Sequence, residues 1–230
     1  MSNHNNHKTL RNHTYPTPLI IGIAGGSASG KTTIVHEVIN QLAPNMVTMI
    51  PQDDYYDRQK VNDFLQGGNK IHDYNFDDPS TINFERMRSN IDTLCSGKSV
   101  AQTDYNYHDP TRKPGKMLHP SNILIVDGLH ALAIPIIRDI LNIKIFIEVP
   151  ENIRLIRRIA RDIKERGFSE SSIKERFITT VKPMHDQYIE PSKKYADLII
   201  SGENDIHESA HRITILIQEE LLKRNHTAEF

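Results

Sequence analysis

Lys31 and Thr32 close an eight-residue stretch, Gly25-Gly26-Ser27-Ala28-Ser29-Gly30-Lys31-Thr32, that could hold a polyphosphate. It fits the pattern G-x-x-x-x-G-K-[ST]. Glycines let a backbone wrap closely around phosphate, because they lack a Cβ and tolerate positive φ. Backbone N–H groups and a helix N-terminus then face the anion. Lys31 can set its ammonium between the β- and γ-phosphates, and the Thr32 hydroxyl can bind Mg²⁺. These eight residues and Thr33 are the candidate nucleotide-binding set. The competing reading, a glycine-rich turn that binds nothing, is disfavoured by the complete pattern in a strand–turn–helix setting.

Two acids stand where strands are expected to end. Asp53 follows the apolar run 46–50, and Asp127 closes the run 122–128. In parallel α/β sheets, ligands sit beyond the C-terminal ends of the strands. Asp53 is therefore a candidate base or a partner of Mg²⁺; the competing reading is a solvated turn with a capping role. Asp127 reads as the Walker B acid, holding Mg²⁺ directly or through water. Arginines supply the opposite charge. Arg154, Arg158 and Arg161 share one face of a helix predicted over 151–166, with Ile153, Ile156, Ile159, Ala160 and Ile163 as its apolar positions. A basic helix face is usually just solvated. Beside a phosphate loop it suits a cationic lid that neutralises a transferring phosphoryl group and excludes water. Glu165-Arg166-Gly167 reads as the hinge of that lid.

The elements that must position these groups follow from periodicity. Strands are predicted over 19–24, 46–50, 122–128, 143–149 and 196–200. Helices are predicted over 31–42, 83–94, 133–140, 151–166, 169–182 and about 204–223. Residues 58–81 read as polar and irregular. Residues 99–116 read as a small hairpin excursion that places Tyr105 and Tyr107 on one face, where they could stack on a flat ligand or cover the core. The expected fold is α/β: a P-loop NTPase-type parallel sheet flanked by helices, with a β-hairpin excursion and a helical lid over 154–170. One domain, 19–223, is expected between a disordered tail, 1–18, and a polar tail, 224–230. The scattered His4, His7 and His13 of the first tail have no metal-site spacing.

Composition narrows the rest. The 230 residues can bury a substantial core. Lys plus Arg (28) nearly balances Asp plus Glu (29), so no bulk nucleic-acid or acidic-lipid partner is expected. The single cysteine, Cys95, excludes an internal disulfide, suits a reducing cytosol and reads as an inert thiol after a helix. No apolar run reaches membrane-span length, and no hydrophobic segment precedes Leu19, so a cytoplasmic protein is expected.

Several blocks together resemble the uridine/cytidine kinase family of P-loop nucleoside kinases. Beyond the phosphate loop these are Gln52-Asp53 with Tyr56, Asn75-Phe76-Asp77 before Pro79, and Asp127-Gly128. Further on come Arg157-Arg158-x-x-Arg161-Asp162-Ile163-x-Glu165-Arg166-Gly167, Val181-Lys182-Pro183-Met184 and Glu190-Pro191-Ser192-Lys193-Lys194-Tyr195-Ala196-Asp197. The likeness spans roughly 19–205. It implies transfer of the ATP γ-phosphate, with Mg²⁺, to the 5′-hydroxyl of a nucleoside, uridine or cytidine first; GTP is the alternative donor. It also implies a homo-oligomer, commonly a tetramer. By the same likeness Asp53 is the catalytic acid that accepts the 5′-OH proton, and Asp77 accepts hydrogen bonds from the ribose hydroxyls. Arg158, Arg161 and Arg166 belong to the lid and substrate side, and Tyr56 and Tyr105 line the nucleoside pocket.

Departures cluster at the base end. The family typically has Glu at Asp127, so a water could bridge the shorter acid to the metal. Its hairpin histidine position is Pro110 here, with His108 two residues away. Its Glu-Arg-Gly-Arg ends in Phe168, and its following glutamine is Arg176. Two alternatives stay open. One is a sibling P-loop kinase for another small alcohol, such as a sugar phosphate or pantothenate. The other is a nucleotide-binding regulatory protein that has lost catalysis.

Overall fold

The computed structural model describes residues 17–102, 115 and 117–227. Tyr105, His108 and Pro110, the tip of the expected hairpin, lie outside the described residues, as do 1–16 of the first tail.

Seven strands and eight helices follow in chain order among the described residues. β1 (Leu19–Gly25) leads into α1 (Lys31–Leu42), then β2 (Val47–Pro51), α2 (Arg58–Gln66) and α3 (Phe84–Cys95). A short antiparallel pair, β3 (Val100–Ala101) and β4 (Met117–Leu118), forms the base of the excursion. β5 (Ile123–Asp127), α4 (Pro135–Arg138), β6 (Ile143–Glu148) and α5 (Glu151–Arg166) follow. The chain ends in α6 (Glu170–Arg176), α7 (Lys182–Met184), β7 (Leu198–Ser201) and α8 (Ile206–Thr227). The main sheet is wholly parallel, in the order β2-β5-β1-β6-β7. β1 is central, so the loop after it opens where the strand order reverses, the place open α/β sheets bind ligands.

Alternation along β1 builds both core layers, because successive side chains leave opposite faces of a strand. Leu19, Ile21 and Ile23 join Ile123, Ile125, Ile145 and Ile147 under α1 and α8. Ile20 and Ala24 join Leu124, Val126 and Phe146 on the other face, with Met87 and Ile91 of α3 and Ile137 of α4. Strands buried on both faces read as continuous apolar runs, which is why these were visible in the sequence. Among the described residues no helix is long and apolar enough to cross a membrane.

Three expectations need correction. The polar stretch 58–81 is not irregular throughout: Asp57 accepts from Gln59 and Lys60 N–H groups and caps α2, which pins itself to the core through Val61. The helix expected over 169–182 runs on through two π-helical turns, Phe177–Val181 and His185–Ile189, into a 3₁₀ turn, Glu190–Tyr195. The final helix continues to Thr227, into the expected polar tail.

Candidate active site

The phosphate loop leaves β1 and returns as α1. Ser29 N–H donates to the Gly26 carbonyl at 3.1 Å, closing the loop on itself. Ala28 holds a left-handed φ of 62°, a conformation that costs a non-glycine residue about 1–2 kcal/mol. Gly30, also left-handed, leads straight into Lys31, the first residue of α1. The half-buried Lys31 donates from Nζ to the Gly26 carbonyl at 3.3 Å. Enclosure holds its ammonium below its ordinary pKa, while the Asp127 and Asp53 carboxylates oppose that.

The acids meet because β2 and β5 are neighbours in register. Pro51 stands opposite Asp127, and Asp53 lies two residues beyond Pro51, in the 3₁₀ turn Gln52–Tyr55. The Thr32 hydroxyl donates to Asp127 Oδ2 at 2.7 Å. The other oxygen, Oδ1, is buried with no hydrogen-bond partner among the described residues. Asp53 reaches the water of the cavity yet is walled by protein. Enclosure first and the Asp127 charge second push its carboxyl up to about 6, while Lys31 pulls the other way. Thr32, Asp53 and the unpartnered Asp127 oxygen form a hard oxygen donor set that fits Mg²⁺. Among the described residues no cluster of three acids, histidines or cysteines could hold a metal alone, so phosphate and water would have to complete its shell.

Asp77 sits 5% exposed on the same cavity. Its loop is held locally: Asp77 N–H donates to Asn75 Oδ1 at 3.2 Å, and Asp78 accepts from Ser80 N–H at 2.8 Å. Tyr56 lines the cavity, but its hydroxyl donates to the Phe76 carbonyl at 3.0 Å, and its ring meets Phe76 edge-on at 5.1 Å. It is thus a wall whose polar atom is committed to the backbone.

α5 supplies the arginines on the face expected to stand beside the phosphate loop. Its buried residues are Arg154, Arg158 and Asp162, while Ile156 and Ile163 are 61% and 46% exposed. The face turned to the phosphate loop is polar; of the expected apolar positions, Ile153 and Ile159 are half-buried and Ile156, Ala160 and Ile163 are exposed. Arg158 Nη1 donates to Ser27 Oγ of the loop at 2.7 Å. Asp162 gathers Arg158, Arg161 and Arg166 at 3.3, 2.8 and 3.5 Å. Arg157 donates to the Gly202 carbonyl at 3.0 Å, tying α5 to the loop after β7. Arg154 parts from its neighbours. Its Nε donates to the Val149 carbonyl, and its guanidinium lies against Gly26, where any Cβ would come within 2.7 Å of it. Arg176 Nη2 donates to the Tyr74 carbonyl at 3.2 Å, and its Cζ lies 5.9 Å from the Phe168 ring centroid.

One cavity of about 790 Å³ gathers Ser27 through Thr33, Asp53, Tyr56, Asp77, Asp127, Arg158, Arg161, Arg166 and Arg176. Among the expected residues, Gly25, Gly26 and Phe168 stand outside its lining; Gly26 instead lines a smaller cavity of about 390 Å³ with Arg154 and His185. Three contributors escaped the sequence reading: Arg157 as the tie to Gly202, Asp162 as the arginine hub, and His130. A histidine three residues past the acid of Asp127-Gly128 was the only signal for the last.

The match to the phosphoribulokinase / uridine kinase family model covers residues 20–207. The uridine kinase of Halobacterium salinarum is 35% identical over 201 residues, 87% of this chain and 84% of that one. The uridine kinase of Staphylococcus aureus strain JH9 is 39% identical over 190 residues, 81% of this chain and 90% of that one. The solved structure of phosphoribulokinase from Rhodobacter spheroides superposes with a TM-score of 0.57 over 82% of this chain and 73% of that one; at 14% identity it bears on the fold alone.

Proposed function

This chain belongs to the phosphoribulokinase / uridine kinase family, and from that membership we propose that it transfers the γ-phosphate of ATP to the 5′-hydroxyl of a pyrimidine nucleoside, uridine or cytidine. It is a kinase, and uridine kinases resemble it over most of its length. The observation that carries the acceptor assignment is the shared cavity, in which Asp53 and the buried Asp77 face the phosphate loop and the α5 arginines together.

In this reading the loop N–H groups and Lys31 take the β- and γ-phosphates. Asp77, a two-oxygen acceptor, takes the ribose hydroxyls and fixes the 5′-oxygen toward the γ-phosphorus. Asp53 accepts the 5′-OH proton as the new O–P bond forms and the bond to ADP breaks. A carboxyl pushed up to about 6 is a better base near neutrality than an ordinary aspartate. Arg158, Arg161 and Arg166 offset the charge on the moving phosphoryl group. Thr32, Asp53 and Asp127 would hold Mg²⁺, which when bound supplies charge neutralisation at the β- and γ-oxygens. The same membership supports a cytoplasmic homo-oligomer, testable by size-exclusion chromatography with light scattering.

The test is ADP release in a coupled assay with ATP, then GTP, against a nucleoside panel. Uridine or cytidine should raise ADP release well above the basal rate. No stimulation by any nucleoside would overturn the proposal, and preference for a sugar phosphate or pantothenate would replace it.

A further inference from the structure

We propose that His130 is a positioning residue that ties the segment carrying Asp77 to the segment carrying Asp53. Its ring is fully buried, so it touches no substrate. Its backbone N–H donates to Gln52 Oε1 at 2.9 Å, and Gln52 immediately precedes Asp53. Its Nε2 lies 2.9 Å from the Asp77 carbonyl. A carbonyl only accepts, so Nε2 carries the proton and the ring is in its Nε2–H form. One residue thus joins both carboxylate-bearing segments, which are 24 positions apart in the chain.

The surroundings fix it in place. Phe84 and Tyr188 meet the imidazole edge-on, with centroids at 6.4 and 6.2 Å. Gln52 reaches His130 only because position 128 is glycine; a Cβ there would lie 2.3 Å from Gln52 Oε1. The ring is retained at a cost, since Nδ1 is buried without a partner among the described residues. An apolar side chain would fill the space without that penalty, so the bond to Asp77 is what the histidine provides. Removing it loosens the Asp77 loop and leaves the phosphate loop, held by its own contacts, as it was. The acceptor side of the reaction then suffers alone.

The kinetic part of this inference rests on the reading of Asp77 as the ribose acceptor; the structural part does not. The experiment compares the full chain with His130→Leu, which has no donor, and His130→Gln, whose amide can place an N–H near the Nε2 position. Hydrogen exchange is followed at the amides of Phe76, Asp77 and Asp78, which are held by bonds within the 74–78 loop. H130L should speed their exchange and raise the nucleoside KM about threefold to tenfold at unchanged ATP KM. H130Q should restore most of both. If H130L does not fold, His130→Asn, whose shorter amide falls on the Nδ1 side, takes its place. Exchange at these amides unchanged in H130L, or in H130N where that takes its place, would overturn the inference, as would equal rises in nucleoside and ATP KM. If the wild type accepts no nucleoside, the proposed function falls, and the exchange comparison still decides on His130.

Discussion

Arg158 Nη1 lies 2.7 Å from Ser27 Oγ, so the helix that carries the arginines is hydrogen-bonded to the phosphate loop itself. The contact makes the arginine a brace for the loop proposed to bind the phosphates and places it beside that loop. Because Arg158 is also paired with Asp162, the two functions can be separated by substitution.

Ser27→Ala removes the brace and leaves Arg158 paired. The expected outcome is a rise in ATP KM of about twofold to tenfold, the worth of one net hydrogen bond, with kcat largely kept. Arg158→Met should instead lower kcat about 10²–10³-fold, as loss of a charge-stabilising donor does. Steady-state kinetics with varied ATP separates the two.

Asp162 pairs with three guanidiniums, and its side chain is 2% exposed. Asp162→Asn keeps the shape and removes the carboxylate paired with the buried Arg158. Breaking a buried pair from one side costs about 3–5 kcal/mol. Denaturant melts should show that loss. A drop under 1 kcal/mol would mean that the arginines are neutralised by another group.

Asp53 carries a pH signature. Its carboxyl is raised from 3.8 to about 6, so between those values the folded chain binds the extra proton. The charged form therefore opposes folding, and stability falls as pH rises through that window. Asp53→Asn should raise Tm at pH 7.5, with the gain vanishing below about pH 4. The same variant should retain ATP binding and abolish phosphoryl transfer. In the wild type kcat/KM for the nucleoside should fall below a pH at or under about 6, since bound Mg²⁺ favours the carboxylate.

His130 and His185 shift the opposite way, both lowered from 6.5 to about 4 by burial. Each is neutral when folded and charges more readily when unfolded. Their contribution is complete above about 6.5 and is lost as pH falls toward 4. Tm measured from pH 7 to 4 should decline, and H130Q should decline less steeply than the wild type. Parallel curves would assign the acid sensitivity to other groups.

What could be read from the sequence was whatever is encoded locally. The phosphate loop and the limits of α1 and α5 were legible, because a glycine pattern, an apolar strand and a helical period are short-range signals. α2 was missed because Val61 is its single buried residue and its cap, Asp57, looks like any loop acid. That the arginine face of α5 meets the phosphate loop was legible; the partners that hold it there, Ser27 and Asp162, were not. The place of Asp77 on the cavity was legible through resemblance. Its tie to His130 depends on a contact spanning 53 positions, for which one sequence holds no signal.

Ile173, Phe177, Val181, His185 and Ile189 are all buried, one every fourth residue. A strict four-residue repeat would drift around an α-helix of 3.6 residues per turn. The wider turns Phe177–Val181 and His185–Ile189 absorb that drift and keep the row facing inward. The segment is therefore intolerant of length change rather than of composition. Deleting one residue within it would rotate everything downstream by about 100° and swing the Glu190–Tyr195 turn, and β7 after it, off the sheet.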